Sequence, residues 1–419
     1  MTPLPAEPLV NAGGNRSSPS HFADCHSPMR IAVIAHALHV AGGLSVGQNL
    51  IAAFGRVAPQ NEYLITIPAG RGYEQICARL PRVEVERYTG RSRLQRWAYD
   101  AFTLPHAVRE FHPDVVLAMG NLGLVNPPCP QAVLCQDAHY FYPVSHFGNQ
   151  RWLERQISRL GQRRFRRALA HTSLLFCQTS VAKRRIQEYL RFSHAIEICP
   201  NSISLMFDER NGADSCQSQL REIRSVPSRL KLLCLTRYYP HKNLEAIVSM
   251  CSRYKSELQD VTIFLTISRS DHPNAAQLLS QIERLGLQER LVNIGPVAHK
   301  DLAECYRQCN AALLPTLLES FSGSYLEAMH FGLPILTSDL DFAKEICGDA
   351  AIYFDARNPE SMRDAILNLL ADPGEYVFRA ARARERIATH SHSWDDIAGH
   401  VIGSLSQLIV SGQMGPQTI

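Results

Sequence analysis

Short, continuous apolar runs alternate along this chain with longer segments whose apolar residues recur at helical spacing. Continuous apolar runs predict strands that are buried on both faces of a sheet. In the first half they lie at Arg30–Ala35, Tyr63–Ile67, Val115–Met119, Ala132–Cys135, Leu174–Cys177 and Ala195–Cys199. In the second half they lie at Lys231–Leu235, Val261–Ile267, Val292–Ile294, Ala311–Leu314, Pro334–Thr337 and Ala351–Phe354. Strands that alternate with helices predict an α/β protein with two doubly wound parallel sheets.

Polar segments predict where the domains begin and end. Residues 1–28 are rich in Pro, Ser, Asn and Gly and lack the apolar core of a signal peptide, so we expect a disordered segment, with Met29 as an alternative start. The remaining predictions are a first domain at 29–207, a linker at 208–229 with room for a short helix, a second domain at 230–390, and a C-terminal helix and tail at 391–419.

Composition narrows the class of protein. A chain of 419 residues with 45% apolar and 20% charged residues is long enough for two globular domains. The net charge of +4 is too small to indicate nucleic-acid binding, and no segment has the length of a membrane span. The 12 cysteines have neither a disulfide nor a zinc spacing, which favours reduced thiols in the cytoplasm and predicts no metal site.

A pair of carboxylates flanks a loop of small residues in the second half. Glu319 follows the apolar run at Ala311–Leu318, and Glu327 lies in the first turns of a predicted helix. The loop between them contains Ser322 and Gly323, so backbone N–H groups at the start of the helix are free to bind an anion. Carboxylates accept hydrogen bonds from sugar hydroxyls, and the combination indicates a nucleotide-sugar site.

Two cations and two glycines add to this prediction. Arg237 and Lys242 follow a strand and suit a diphosphate, although solvated surface cations are the alternative. Gly42 and Gly43 follow the first strand and predict a loop that faces the donor, or simply a tight turn before a helix at Ser45–Phe54. The absence of G-x-G-x-x-G argues against a dinucleotide-dependent dehydrogenase.

Taken together and in this order, Ala41–Gly43, Arg237-x4-Lys242 and Glu319-x7-Glu327 resemble the retaining glycosyltransferases of family 4. The resemblance covers about residues 29 to 410. It implies the GT-B fold, in which two Rossmann-like domains face each other across a cleft. It also implies a nucleotide diphosphate sugar as the donor substrate, no cofactor and no metal, and a C-terminal helix that returns to the first domain.

The resemblance also assigns roles to residues. Glu319 would contact the transferred sugar and Glu327 the ribose, although an acid near a helix N-terminus also complements the helix dipole. His139, after a buried strand of the first half, would position the sugar, with a structural histidine as the alternative. The family commonly has E-G-F-G where this chain has Glu319–Ser322, so a serine would strain the loop if a glycine conformation is needed there, unless Gly323 provides it.

The segment Arg151–Ala170 indicates a partner. It contains seven arginines and one glutamate, with Arg151, Arg155, Arg159 and Arg163 on one helical stripe. Leu153, Ile157, Leu160 and Ala168 fall near another face. A basic amphipathic helix can lie on an anionic membrane, and Arg91, Arg93, Arg96 and Trp97 would extend the surface. A solvated face of a packed helix is the alternative, and nucleic-acid binding is a weaker one because no recognised module is present.

The sequence therefore predicts a retaining hexosyl-type glycosyltransferase, cytoplasmic or peripheral on the cytoplasmic face of the membrane. It would move a sugar from a nucleotide diphosphate sugar to a glycan or lipid-linked acceptor in cell-surface polysaccharide or glycoconjugate synthesis. The alternative is a catalytically degenerate relative that binds a nucleotide sugar or a partner. The fold selects neither the sugar nor the acceptor.

Overall fold

The computed structural model describes residues 27–147, 152–203, 217–298, 301–390 and 392–413. Their strands form two parallel sheets, one in each half of the chain, with the orders β3-β2-β1-β4-β5-β6-β7 and β10-β9-β8-β11-β12-β13. The first sheet contains β1 Arg30–Ile34, β2 Glu62–Pro68, β3 Val83–Tyr88, β4 Val115–Ala118, β5 Gln131–Cys135, β6 Leu174–Cys177 and β7 Ala195–Ile198. The second contains β8 Leu230–Cys234, β9 Val261–Leu265, β10 Leu291–Asn293, β11 Ala311–Leu314, β12 Ile335–Ser338 and β13 Ala351–Phe354.

Helices cover both sheets. Those of the first half are α1 Ala41–Val57, α2 Tyr73–Cys77, α3 Arg93–Ala98, α4 Leu104–Phe111, α5 Trp152–Leu169 and α6 Ser180–Arg185. Those of the second half are α7 Gln217–Ser225, α8 Leu244–Arg253, α9 Pro273–Arg284, α10 Leu302–Gln308, α11 Gly323–His330, α12 Asp341–Cys347, α13 Pro359–Ala371, α14 Pro373–His390 and α15 Trp394–Gln413. Single helical turns lie at Ala138–Tyr140, Val144–His146, Pro240–Lys242 and Gly348–Ala350, and π-helical turns at Tyr99–Thr103 and Ile186–Leu190.

The two predicted parallel sheets are confirmed. Their inner strands, such as β4 and β11, are buried along their whole length, which is why they form continuous apolar runs. The prediction missed β3, whose sequence Val83–Tyr88 alternates apolar and charged residues and is only partly buried. An edge strand has one neighbour and keeps more contact with water, so its sequence lacks the apolar run.

The predicted loop at Gly42–Gly43 is wrong. Helix α1 begins at Ala41, so both glycines lie in its first turn, which closes when the Leu44 N–H donates to the Val40 carbonyl at 3.2 Å. Neither glycine has a positive φ. A Cβ added to Gly42 would have no neighbour within 4 Å, and one added to Gly43 would lie 3.3 Å from Leu38 Cδ2. The chain turns before Ala41, without glycine.

The linker between the two halves and the C-terminal helix α15 connect the halves. Residues 204–216, which include the first part of the predicted linker, lie outside the described residues, and α7 follows, with Ile223 buried. The predicted disordered segment lies outside the described residues as far as residue 26. At the other end, α15 packs against α1 of the first half, where the indole of Trp394 donates to the Ile203 carbonyl at 2.9 Å. Arg56 pairs with Asp395 at 2.6 Å.

In the described part of the chain, every helix is too short or too polar to cross a bilayer.

Candidate functional site

The candidate site forms where the loops that follow β5, β8 and β11 meet, at the carboxyl ends of strands from both sheets. In its centre, the Lys242 ammonium is in ion-pair contact with Glu319 Oε1. Thr316 Oγ1 lies 3.3 Å from the same oxygen. Only 12% of the Glu319 side chain is exposed, so this charge pair is largely shielded from water. The structure therefore brings together two residues that are 77 positions apart in sequence.

Local structure explains why Lys242 and Glu319 meet. Lys242 ends the turn Pro240–Lys242, and the next residue, Asn243, has a positive φ of 57°. The Asn243 side chain donates to the Pro315 carbonyl at 3.2 Å and to the Ala356 carbonyl at 2.8 Å. The Leu317 N–H donates to the His241 carbonyl at 2.7 Å. These bonds tie the loop after β8 to the loop after β11, and so hold the two charged side chains together.

His139 reaches this centre from the first half. Its Nδ1 lies 2.6 Å from Asp137 Oδ1, and its ring packs edge-on against the ring of His241, with centroids 5.0 Å apart. Asp137 accepts a hydrogen bond from the His139 N–H at 3.0 Å and thereby caps the turn Ala138–Tyr140. Asn121 fixes the start of this loop by accepting from the N–H groups of Gln136 at 2.6 Å and Asp137 at 2.9 Å.

The two histidines have opposite preferences for a proton. Burial lowers the pKa of His139, but the charge of Asp137 and its hydrogen bond outweigh burial, and the pKa is raised. Burial, Lys242 and His139 together hold the pKa of His241 well below its usual value. The site therefore pairs an imidazole whose pKa is raised with one whose pKa is lowered, and groups whose pKa values are pushed apart are typical of sites that handle protons.

Arg237 lies on the same loop as Lys242 but is held by a different residue. Its Nε and Nη2 donate to Asp271 Oδ1 at 3.1 and 2.9 Å. The Asp271 side chain is 4% exposed, and Oδ2 accepts from the N–H groups of Ser268 at 3.0 Å and Tyr238 at 3.2 Å. Burial raises the pKa of Asp271, but these hydrogen bonds and Arg237 outweigh it, and the pKa is lowered. The guanidinium is thus fixed on one edge while about half of the side chain stays exposed.

Glu327 occupies a more secluded position on α11. The Tyr306 hydroxyl donates to Glu327 Oε2 at 2.7 Å, and Glu327 forms no ion pair with any residue that the structure describes. Burial raises the pKa of Glu327, and the Tyr306 bond offsets only part of that rise. A Cβ on Gly323 would lie 3.8 Å from Glu327 Oε1, so the glycine keeps the approach to this carboxylate open.

The loop between the two glutamates is not strained. Ser322 precedes α11 in an extended conformation, with φ −100° and ψ 114°, and its side chain does not cap the helix. Ser320, Ser322 and Gly323 all have negative φ, so this loop does not need the glycine conformation that would strain a serine. This backbone accommodates any residue.

The sequence did not predict several of these contact residues. Three of them, Asp271, Tyr306 and Asn121, form hydrogen bonds with residues 15 to 34 positions away in the sequence. The fourth is His241, which adjoins Lys242 in the chain. One signal was available for Asp271, because it follows a buried strand, β9, at the same sheet edge as Arg237. Among the described residues, no group of His, Cys, Asp or Glu side chains has the geometry of a metal site.

Comparison with solved structures identifies the fold. Sucrose-phosphate synthase from Thermosynechococcus elongatus superposes with a TM-score of 0.71 at 15% identity, over 91% of this chain and 100% of that one. Anabaena Alr3699/HepE, solved in complex with UDP and glucose, gives a TM-score of 0.66 at 17% identity, over 90% and 100% of the two chains. The protein has the GT-B fold.

Sequence comparison gives a family match for the second half. Residues 217–388 match the family described as Glycosyl transferases group 1. The serotype-specific mannosyltransferase WbdA of Escherichia coli is 27% identical over 202 residues, which is 48% of this chain but only 24% of WbdA. The second half of the chain is therefore similar to the group 1 glycosyltransferases.

The paired histidines generate a prediction about protonation. In an Asp137→Asn variant, the pKa of His139 should fall, because burial then acts without the opposing carboxylate charge. NMR titration of the histidine ring carbons, with His139 assigned from a His139→Gln variant, measures this change. His194, on the surface of the first half, is the internal control. An unchanged pKa at His139 would show that Asp137 does not govern this imidazole.

Proposed function

We propose that this protein transfers a sugar from a nucleotide diphosphate sugar to a glycan or lipid-linked acceptor, with retention of the anomeric configuration. The observation that carries the proposal is the shielded Lys242–Glu319 pair facing the Asp137–His139 pair from the other half. A cation and a carboxylate side by side suit the junction of a phosphate and a sugar. The HepE structure, which contains UDP and glucose, supports the same class of donor.

Each part of the donor has a candidate partner in the second half. Arg237 and Lys242 suit the diphosphate, since a guanidinium held along one edge by Asp271 still presents N–H groups on the other. Glu327 suits the ribose, because a buried carboxylate with a single hydroxyl partner has room to accept further hydrogen bonds. Glu319 suits a hydroxyl of the transferred sugar. The N–H groups at the start of α11, beside Ser322 and Gly323, suit a phosphate oxygen.

The transfer is proposed to take place on one face of the sugar. The bond between the anomeric carbon and the leaving phosphate oxygen breaks, and the acceptor oxygen bonds to the same carbon on the same side. The acceptor proton passes to the leaving phosphate oxygen, so no charge is left over. Arg237 and Lys242 stabilise the negative charge that grows on the diphosphate. His139, held by Asp137, positions the sugar and does not attack it.

The name of WbdA, a serotype-specific mannosyltransferase, favours a role in cell-surface polysaccharide or glycoconjugate synthesis. The competing hypothesis is a degenerate relative that binds a nucleotide sugar without turnover. An assay of donor hydrolysis and transfer over a panel of UDP-, GDP- and ADP-sugars separates the two. Release of the nucleoside diphosphate from one donor supports the enzyme, whereas tight binding of a donor without release supports the degenerate relative.

The phosphate assignment predicts a rate effect. Arg237→Ala and Lys242→Ala should each lower kcat/KM by roughly 10- to 150-fold, because a hydrogen bond to a charged group contributes about 1.5–3 kcal/mol. Arg253→Ala, which removes an exposed arginine from α8 of the same half, is the matched control and should leave kcat/KM unchanged. Normal kcat/KM in both variants would refute the assignment.

We expect substitution of the two glutamates to affect different parts of the donor. Glu327→Gln should weaken binding of the free nucleoside diphosphate, because the ribose belongs to the nucleotide. Glu319→Gln should leave that binding nearly intact yet impair transfer, because its partner is the sugar. Calorimetry with UDP and GDP, followed by transfer assays, measures both effects. Equal losses of nucleotide affinity in the two variants would overturn the separate roles.

We extend the proposal to contact with an anionic membrane through α5. Two residues of the predicted apolar face of α5, Ile157 and Leu160, are 46% and 59% exposed, so this part of the face does not pack against the protein. The buried side of α5 consists of Gln162, Phe165, Ala168 and Leu169. Trp152 is 73% exposed, and Arg155, Arg159 and Arg163 are exposed beside these apolar side chains. Arg151 lies outside the described residues.

A second group of exposed apolar side chains lies elsewhere in the first half. Leu94, Trp97 and Phe102, on α3 and the π-helical turn after it, are exposed. A surface that combines aromatic, aliphatic and arginine side chains suits the interface of an anionic bilayer.

Replacing Arg155, Arg159 and Arg163 by Gln should release the protein from anionic vesicles and spare donor hydrolysis. Each basic residue near such a surface contributes about 1 kcal/mol, and salt screens that attraction. Vesicle co-sedimentation at low and high salt measures the binding. The matched control replaces Arg221, Arg253 and Arg284, exposed arginines of the second half, and should still bind. If the wild-type protein does not bind anionic vesicles at low salt, the proposal of membrane contact is wrong and the arginines of α5 form a solvated helix face.

A further inference from the structure

The loop that carries Glu319 touches the first half at its next residue, Ser320. The Ser320 side chain is nearly buried, with 6% of the residue exposed. Its hydroxyl is in hydrogen-bonding contact with the Gln136 carbonyl and lies 2.9 Å from Gln178 Oε1. Thr179 Oγ1 lies 3.4 Å from the Ser320 carbonyl. A single small side chain of the second half is therefore surrounded by hydrogen-bonding groups of the first.

The position of these contacts along the chain matters more than their number. Ser320 directly follows Glu319, and Gln136 directly precedes Asp137, whose carboxylate holds His139. The Ser320 hydroxyl thus joins the loop with the Lys242–Glu319 pair to the loop with the Asp137–His139 pair. Because each loop moves with its own half, this contact fixes the register of the two pairs.

The surroundings make the contact specific. A hydroxyl has one proton and two nearby acceptors, and burying it without a partner costs free energy. Gln178 is itself held, since its Nε2 donates to Asn201 Oδ1 at 2.7 Å. Ser320 has a negative φ, so serine causes no backbone strain here. A glycine, which the related motif commonly has, would offer no hydroxyl at this point.

Other contacts hold the two halves together farther from the site. Glu345 accepts hydrogen bonds from the N–H groups of Ser180 at 2.6 Å and Val181 at 2.7 Å, at the start of α6. Arg185 pairs with Asp341 and lies 4.1 Å from the centre of the Tyr142 ring. These contacts hold the two halves together, and the Ser320 contact aligns them at the site.

We propose that Ser320 is a positioning residue, which aligns His139 with the Lys242–Glu319 pair by bonding to the loop that carries Asp137. The proposal deepens the proposed function and rests on it. It separates two properties of the protein. Arg237, Lys242 and Glu327 all belong to the second half, so nucleotide binding should not need Ser320. Transfer of the sugar needs residues from both halves, so it should require Ser320.

The first test removes the hydroxyl. Ser320→Ala and Ser320→Gly should lower kcat roughly 3- to 10-fold, the effect of one ordinary hydrogen bond. The affinity for UDP or GDP, whichever the wild type binds, should change less than about twofold by calorimetry. Ser338→Ala is the matched control, because Ser338 is buried in the same half and its hydroxyl has no partner among the described residues. Loss of nucleotide affinity in parallel with kcat would contradict the proposal.

A double-mutant cycle tests whether the effect crosses between the halves. The cycle combines Ser320→Ala with His139→Gln, the residue that Ser320 is proposed to align. If the contact acts through His139, the double variant should be no slower than His139→Gln alone, because coupled residues do not add. Effects on kcat that simply multiply would show that Ser320 acts independently of His139, and would overturn the proposal.

Hydrogen exchange tests the contact without requiring activity. Amides in residues 136–142 should exchange faster in Ser320→Ala than in the wild type and in Ser338→Ala. If Ser320→Ala does not fold, Ser320→Gly, which also lacks the hydroxyl, should give the same change. Unchanged exchange in the folded variants would overturn the proposal. Faster exchange in a protein that processes no nucleotide sugar would leave the contact standing and refute the proposed function instead.

Discussion

The ion pair between Lys242 and Glu319 is the interaction on which the site depends. Both side chains are largely removed from water, and leaving one buried charge without its partner costs roughly 3–5 kcal/mol. The bonds from Asn243 and His241 to the neighbouring loop keep the two charges together. Arg237 lies on the same loop as Lys242, and Glu327 lies on α11, which follows the loop that carries Glu319. A ligand that enters must therefore offer a negative group to Lys242 and a hydrogen-bond donor to Glu319, which a phosphorylated sugar does.

The two halves contribute different chemistry to this centre. The second half supplies the cations and carboxylates that suit a nucleotide diphosphate sugar, and the first supplies a histidine whose pKa is raised by Asp137 against the effect of burial. His241 lies between them and stays neutral because burial and Lys242 disfavour its charge. The helix α15, which packs on α1, and the contacts of α6 with α12 keep the halves together. Catalysis would then depend on alignment between halves as much as on the residues of either one.

Sequence patterns predicted the parts of the structure that depend on local periodicity. Continuous apolar runs located nearly all strands, since strands of a covered parallel sheet are buried on both faces, whereas β3 escaped because an edge strand alternates. Motif spacing predicted Lys242 and Glu319, and the family resemblance added His139. The structure brings the three residues near one another. Motif spacing could not find Asp271 or Tyr306, because their roles arise only when distant loops meet. The predicted start of α1 is wrong because glycine is typical of turns, whereas the backbone of Gly42 and Gly43 is helical.

A crystal structure of the protein with its nucleoside diphosphate tests the central claim most directly, because it shows which ligand groups contact the Lys242–Glu319 pair. The expected result places the diphosphate on Lys242 and Arg237, with the ribose hydroxyls on Glu327 and the free carboxylate of Glu319 turned toward the space for the sugar. The Asp137–His139 pair should face that space from the other half. A nucleotide bound elsewhere, with the Lys242–Glu319 pair undisturbed, would contradict the claim that this pair is the donor site.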